Sequence, residues 1–126
     1  SVDVQNGTSG DDVFMLEGGY SNIYTGEGVD TLIVTDQVDA SVVVDFESGS
    51  DKFDMSQLLS DAGYTADSLV DGAFGGSLDA ETNVLTLFVD DDLSTEGASL
   101  EVEVTLSEGS EFNEDDLSTD FSAFIA

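Results

Sequence analysis

Apolar residues fall in short clusters at even distances, separated by Gly, Ser and Asp. Leu32-Ile33-Val34 and Val42-Val43-Val44 are two such triplets, with a polar turn over Asp36 to Ser41 between them. Runs this short, punctuated this often, suit strands that bury one or two side chains each and do not suit helices. A change of character follows Ser56. Met55 to Gly63 predicts a short helix capped by Ser56 and stopped by Gly63, and Thr65 to Val70 allows a further turn. Val84 to Val89 then predicts a largely buried strand. Leu100, Val102, Val104 and Leu106 alternate with Glu101, Glu103 and Thr105, which predicts a strand with one apolar and one wet face. The two strands are expected to pair as a hairpin across a long acidic loop. At the end, Leu117, Phe121, Phe124 and Ile125 have helical spacing, with Asn113 as N-cap, Glu114 to Asp116 in the first turn and Phe112 stapled onto Leu117.

The polar stretches between the first clusters repeat. Gly7 to Met15 fits the nonapeptide Gly-Gly-x-Gly-x-Asp-x-apolar-x at every place except Thr8, and Thr25 to Ile33 lacks only the first Gly. Between them, Glu17 to Thr25 fits a degenerate copy with Gly18, Asn22 and Tyr24 in the second-Gly, Asp and apolar places, its register slipped by one residue. Six residues of such a unit make a turn, and three make a strand whose middle side chain enters the core. Two units complete one winding of a flattened solenoid. Asp12 and Asp30, 18 residues apart, therefore belong on the same edge of successive windings, with an ion between them.

Composition sharpens this. The 126 residues are 40% apolar, enough for one modest core, so a single domain, 1–126, or two small lobes sharing an interface is expected. Twenty-nine acidic residues face a single cation, Lys52, for a formal net charge of -28. Nucleic acid and anionic membrane surfaces are excluded as partners by that sign. Cations must neutralise the carboxylates, and Ca2+ accepts the mixture of carboxylate and carbonyl oxygens that loops offer. Without His or Cys the chain has no disulfide, no thiolate nucleophile, no His base and no ordinary zinc site. No apolar run approaches the roughly 18 residues that span a bilayer, so membrane insertion is not expected. The start carries no basic-then-apolar leader either.

Three segments carry a family resemblance: Gly7-Thr8-Ser9-Gly10-Asp11-Asp12-Val13-Phe14, Gly26-Glu27-Gly28-Val29-Asp30-Thr31-Leu32, and Val44-Asp45-Phe46-Glu47-Ser48-Gly49-Ser50-Asp51-Lys52-Phe53-Asp54-Met55-Ser56. With them the chain resembles the C-terminal portion of an RTX protein exported by bacterial type I secretion, most similar to the terminal domain of large repeat-containing adhesins. The third segment resembles the unit that closes the repeats; residues 57–126 share only the family's layout. The resemblance implies an all-β fold: a short Ca2+-bound parallel β-roll over about 5–56, then an antiparallel β segment with short helices, a β-rich C-terminal lobe over 57–126. It implies one ion held by the carbonyls of Thr8, Gly10, Thr25 and Glu27 with the carboxylates of Asp12 and Asp30. A second ion would take Gly26, Gly28 and Asp30 with Asp45, assisted by Asp51. On the opposite edge Gly18, Tyr20 and Asn22 would face Gln37 and Asp39. It further implies a secreted or cell-surface monomer whose only partners are Ca2+ and, during export, the type I transporter. That transporter would read an uncleaved signal near Asp120 to Ala126.

Several rival readings bear on the same residues. Asp90 to Glu96, with Glu101 at the twelfth place, imitates an EF-hand loop. Thr95 stands where that loop needs Gly, however, and strands flank it, so a solvated hairpin loop is expected. Paired carboxylates can perform glycoside hydrolysis, but nothing here builds a substrate cleft, and no enzyme is expected. Tyr20, Tyr24 and Tyr64 are expected in core or rim packing. An extracellular module binding a glycan, ice or a surface protein, or a structural cap ending a repeat tract, remain the alternatives to the export reading.

Overall fold

The computed structural model describes residues 3–18, 21–61, 74–89 and 100–118. Six short strands come first: β1 (Asp3–Asn6), β2 (Val13–Leu16), β3 (Ser21–Tyr24), β4 (Thr31–Val34), β5 (Val42–Asp45) and β6 (Lys52–Asp54). They alternate between two sheets. β1, β3 and β5 pair in parallel in one, and β2, β4 and β6 pair in parallel in the other. Two strands thus make one winding. The first step is 18 residues, as in Asp3↔Ser21 and Val13↔Thr31, and the second is three longer, as in Ser21↔Val42 and Thr31↔Lys52. All the added length lies in the turn between β4 and β5, so the opposite turns keep a constant size.

Alternation along each strand decides what fills the interior. β2 and β4 send Phe14, Leu16, Leu32 and Val34 inward, β5 sends Val42 and Val44, and β6 sends Phe53. Fully burying such side chains is worth about 1.5–3 kcal/mol each. In β3 the inward residue is Ile23, 1% exposed, whereas Tyr24 is 47% exposed. The expected core or rim place of Tyr24 is therefore corrected: the one-residue slip of the degenerate copy moves it to the outer face, because strand faces alternate residue by residue.

After β6 comes the helix α1 (Ser56–Asp61), lying against β4 with Leu58 and Leu59 fully buried. At its start the carboxylate of Asp54 accepts the Ser56 amide at 2.9 Å. Gly63 and Thr65 to Val70 lie outside the described residues. β7 (Phe74–Asp79), β8 (Val84–Val89) and β9 (Leu100–Leu106) then form the antiparallel part of the first sheet. β8 and β9 pair as expected.

β9 also pairs in parallel with β5, through Val43↔Thr105 and Val44↔Leu106, and β10 (Leu117–Ser118) pairs in parallel with β6. The C-terminal part is continuous with the first six strands. It returns to both sheets as a further winding, and the sheet orders become β1-β3-β5-β9-β8-β7 and β10-β6-β4-β2. The helix expected from Asn113 onward is a single 3-10 turn, Glu114–Asp116, after which Leu117 is extended (φ -89°, ψ 139°). Pairing with β6 overrides the helical spacing at that point. Residues 119–126 lie outside the described set.

Three aromatic rings join the windings. Phe46 and Phe53 stack with centroids 4.4 Å apart, and Phe112 meets Phe53 at 6.2 Å. Each pair is worth about 0.5–1.5 kcal/mol beyond its burial.

Candidate metal centre

One edge of the windings carries three turns of equal length: six residues separate β1 from β2, β3 from β4 and β5 from β6. These are Gly7-Thr8-Ser9-Gly10-Asp11-Asp12, Thr25-Gly26-Glu27-Gly28-Val29-Asp30 and Phe46-Glu47-Ser48-Gly49-Ser50-Asp51. All have Gly in the fourth place and Asp in the sixth. The third turn was visible in the sequence as Gly49-x-Asp51 repeating Gly10-x-Asp12 and Gly28-x-Asp30, although its opening Phe46-Glu47 hides the repeat.

The first two turns stack so closely that side chains are excluded between them. A Cβ on Gly26 would fall 2.6 Å from the carbonyl oxygen of Thr8, and one on Gly28 would fall 2.6 Å from that of Gly10. Gly28 also holds φ +90° and Gly49 φ +89°, conformations open mainly to glycine. The carbonyls of Thr8 and Gly10 are thus directed along the stack, at the next turn.

The sixth-place aspartates form a ladder. Asp30 Oδ1 accepts the Asp12 amide at 2.8 Å, and Asp51 Oδ1 accepts the Asp30 amide at 3.1 Å. Asp51 Oδ2 takes the Glu47 amide at 2.9 Å and the Thr25 hydroxyl at 3.2 Å. Asp12 bends back onto its own turn, accepting the Thr8 amide at 2.7 Å. Asp30 and Asp51 are both fully buried. Every oxygen of Asp51 is partnered, but Asp30 Oδ2 is buried with no hydrogen-bond partner. Burial pushes the Asp30 carboxyl above its ordinary range; the Asp12 amide opposes that push, and the nearby charges of Asp51 and Asp12 reinforce it.

A buried carboxylate oxygen left without a partner is costly, and a hydrogen-bond donor, a proton or a cation would relieve it. Lys52, the chain's one cation, donates its Nζ to the carbonyl of Asp115 at 2.9 Å instead. The turns that flank Asp30 offer carbonyl and carboxylate oxygens, which would suit a hard divalent ion such as Ca2+. Among the described residues no three acidic side chains gather round one point, so such an ion would draw much of its shell from turn carbonyls.

The remaining candidates are distributed as follows. Thr8, Gly10, Asp12, Thr25, Gly26, Glu27, Gly28 and Asp30 all lie in the first two turns and are brought together. Asp45 is not in the aspartate ladder. It ends β5 in the same rank as Asn6 and Tyr24, its side chain exposed and its carbonyl accepting the Thr25 hydroxyl at 2.8 Å. Asp51 holds the rank that was assigned to Asp45. On the opposite edge Gly18 abuts the carbonyl of Gln37, where a Cβ would fall 2.6 Å from the oxygen. Asp39 is engaged locally by the amide of Ser41 at 2.9 Å and by its hydroxyl, whose donation holds the Asp39 carboxyl below its usual range. Asn22 is half-buried in β3. Among the described residues that edge has no orphaned buried oxygen. Tyr20, Tyr64, Asp90 to Glu96 and Asp120 to Ala126 lie outside the described residues.

Sequence reasoning missed Asp116. Buried at the end of the 3-10 turn that precedes β10, it accepts the Ser48 hydroxyl at 2.6 Å, the Gly49 amide at 2.8 Å and the Asn113 amide at 2.9 Å, closing over the third turn. Two of those partners are more than sixty residues away, and no local pattern announces them. No protein-family model and no curated protein matches the chain.

Proposed function

We propose that this protein is a Ca2+-binding module, folding in response to Ca2+, from an RTX-type protein exported by type I secretion, with an adhesin as the parent. The observation that carries the reading is the buried, unpartnered Oδ2 of Asp30 between two stacked glycine turns, in a chain with no spare cation. One ion would use carbonyls of Thr8, Gly10, Thr25 and Glu27 with the carboxylates of Asp12 and Asp30. A second would use Gly26, Gly28 and Asp30 together with Asp51. The protein is not an enzyme on this reading; it is a secreted or cell-surface monomer.

Inside a bacterium, where free Ca2+ is low, the charge of -28 keeps the chain expanded. Outside, an ion that binds only the folded state stabilises it by about 2.7 kcal/mol per independent site at one hundred times its dissociation constant. Folding at the exit then opposes return through the transporter. A circular dichroism titration tests the first step: β content is expected to rise from EDTA to millimolar Ca2+, and identical spectra would overturn ion-driven folding. The export step is tested by deleting Asp120 to Ala126, which is expected to retain the protein inside a type I secretion host; normal appearance in the medium would remove the signal assignment.

A further inference from the structure

Asn6-Gly7, where β1 enters the first turn, is the chain's one Asn-Gly pair; Asn22, Asn83 and Asn113 precede Ile, Val and Glu. A glycine after asparagine leaves the main-chain nitrogen unhindered by a Cβ, so that nitrogen can reach the side-chain amide carbon. Position 7 has to be glycine, since a Cβ there would fall 2.2 Å from the Thr25 carbonyl oxygen. Position 6 is under no such demand: Asn6 is exposed and ranks with Tyr24 and Asp45 in the neighbouring strands.

We infer that Asn6 is a site of spontaneous deamidation, gated by folding. The Gly7 nitrogen loses its proton and bonds to Cγ of Asn6, and the side-chain nitrogen departs as ammonia, leaving a succinimide. Water then opens the ring. Attack at Cγ yields aspartate, and attack at the main-chain carbonyl carbon yields isoaspartate. In the folded protein the Gly7 N–H is held by the Tyr24 carbonyl at 2.7 Å and Gly7 is wedged against Thr25, so neither proton loss nor the swing toward Cγ is open. Reaction requires opening of this edge, and its rate follows the open fraction. The two products have different consequences. Aspartate at position 6 keeps the backbone and matches Asp45 in the same rank. Isoaspartate inserts a methylene into the main chain between β1 and the turn and pulls Gly7 off Tyr24. A chain that lingers unfolded is thereby marked at its first turn.

The test incubates the whole protein at neutral pH in Ca2+, in EDTA and in urea, and follows Asn6 by peptide mass mapping with isoaspartate detection. Asn6 is expected to deamidate well before the other three asparagines in urea, and far more slowly in Ca2+. On the Ca2+ reading proposed above, each independent site filled at one hundred times its dissociation constant lowers the ratio of open to folded chain about a hundredfold relative to EDTA, and the rate falls with it. Rates that differ between native buffer and urea but not between Ca2+ and EDTA sustain the gated site and count against the ion reading. Equal Asn6 rates in native buffer and urea overturn the gating, and equal rates for all four asparagines in urea overturn the site. Asn6→Gln is expected to fold normally and to lose the early product; its persistence would overturn the assignment as well.

Discussion

Asp30 is subject to two opposed demands. Its Oδ1 fixes the Asp12 amide and so holds two turns in register, while its Oδ2 is buried without a partner. Asp30→Asn keeps the first contact and removes the uncompensated charge. The variant is expected to be more stable than the parent in EDTA, and in Ca2+ to lose most of the roughly 2.7 kcal/mol that a site filled at one hundred times its dissociation constant supplies. Urea midpoints in the two buffers check this. The raised pKa of Asp30 sets the sign of the pH dependence without ions. The folded carboxyl binds its proton more tightly than the unfolded one, so this stabilisation is complete below the ordinary carboxylate pKa and is lost as pH rises through the folded value. The EDTA midpoint of the parent should therefore climb on mild acidification, more steeply than that of Asp30→Asn. Equal slopes would show that Asp30 is not the responsible group.

Among the elements, the three equivalent turns share one Gly-x-Asp ending but differ in crowding. Gly28 and Gly49 have nearly the same positive φ, yet a Cβ on Gly28 meets the Gly10 carbonyl whereas one on Gly49 meets nothing within 4 Å. Gly49→Ala is expected to cost only the left-handed strain, about 1–2 kcal/mol. Gly28→Ala adds separation of two stacked turns and should cost clearly more, with weakened Ca2+ response; thermal melts of both in Ca2+ and EDTA read the difference. The same contrast explains what was legible. Local pattern was enough for β4, β5, β8 and β9, because alternation or an apolar run is visible within each, and enough for the pairing of Asp12 with Asp30. β7 was hidden because Gly75-Gly76 breaks the pattern. Those glycines fit there by making room for rings, a Cβ at Gly75 falling 2.7 Å from Phe88 and one at Gly76 2.9 Å from Phe112. Tyr24 was misplaced by one residue of register. The three-residue excess of the second winding hid the equivalence of Asp51, and the partners of Asp116 arrive only through the fourth winding.

At the scale of the molecule the fourth winding ties distant parts of the chain together: β9 and β10 extend both sheets, and Asp116 and Phe112 contact the third turn and its strand. Such a closed stack has to gather much of a charge of -28 around a core of aliphatic and aromatic side chains. Two ways of meeting the repulsion make different demands. If diffuse screening were enough, roughly 1 M NaCl, with a Debye length of about 3 Å, would fold the chain as well as Ca2+ does. Screening does not reach a fully buried oxygen, however, and Asp30 Oδ2 is one. Mg2+ carries the same charge as Ca2+ but demands tighter octahedral geometry and parts reluctantly with its water, so turn carbonyls at fixed stacking distances serve it poorly. The expected order in a circular dichroism titration is therefore full β signal in millimolar Ca2+, a partial response in equimolar Mg2+, and little in NaCl at any concentration. Full folding in NaCl alone would mean that the aspartate ladder is held by charge neutralisation in bulk and that Asp30 needs no ligand.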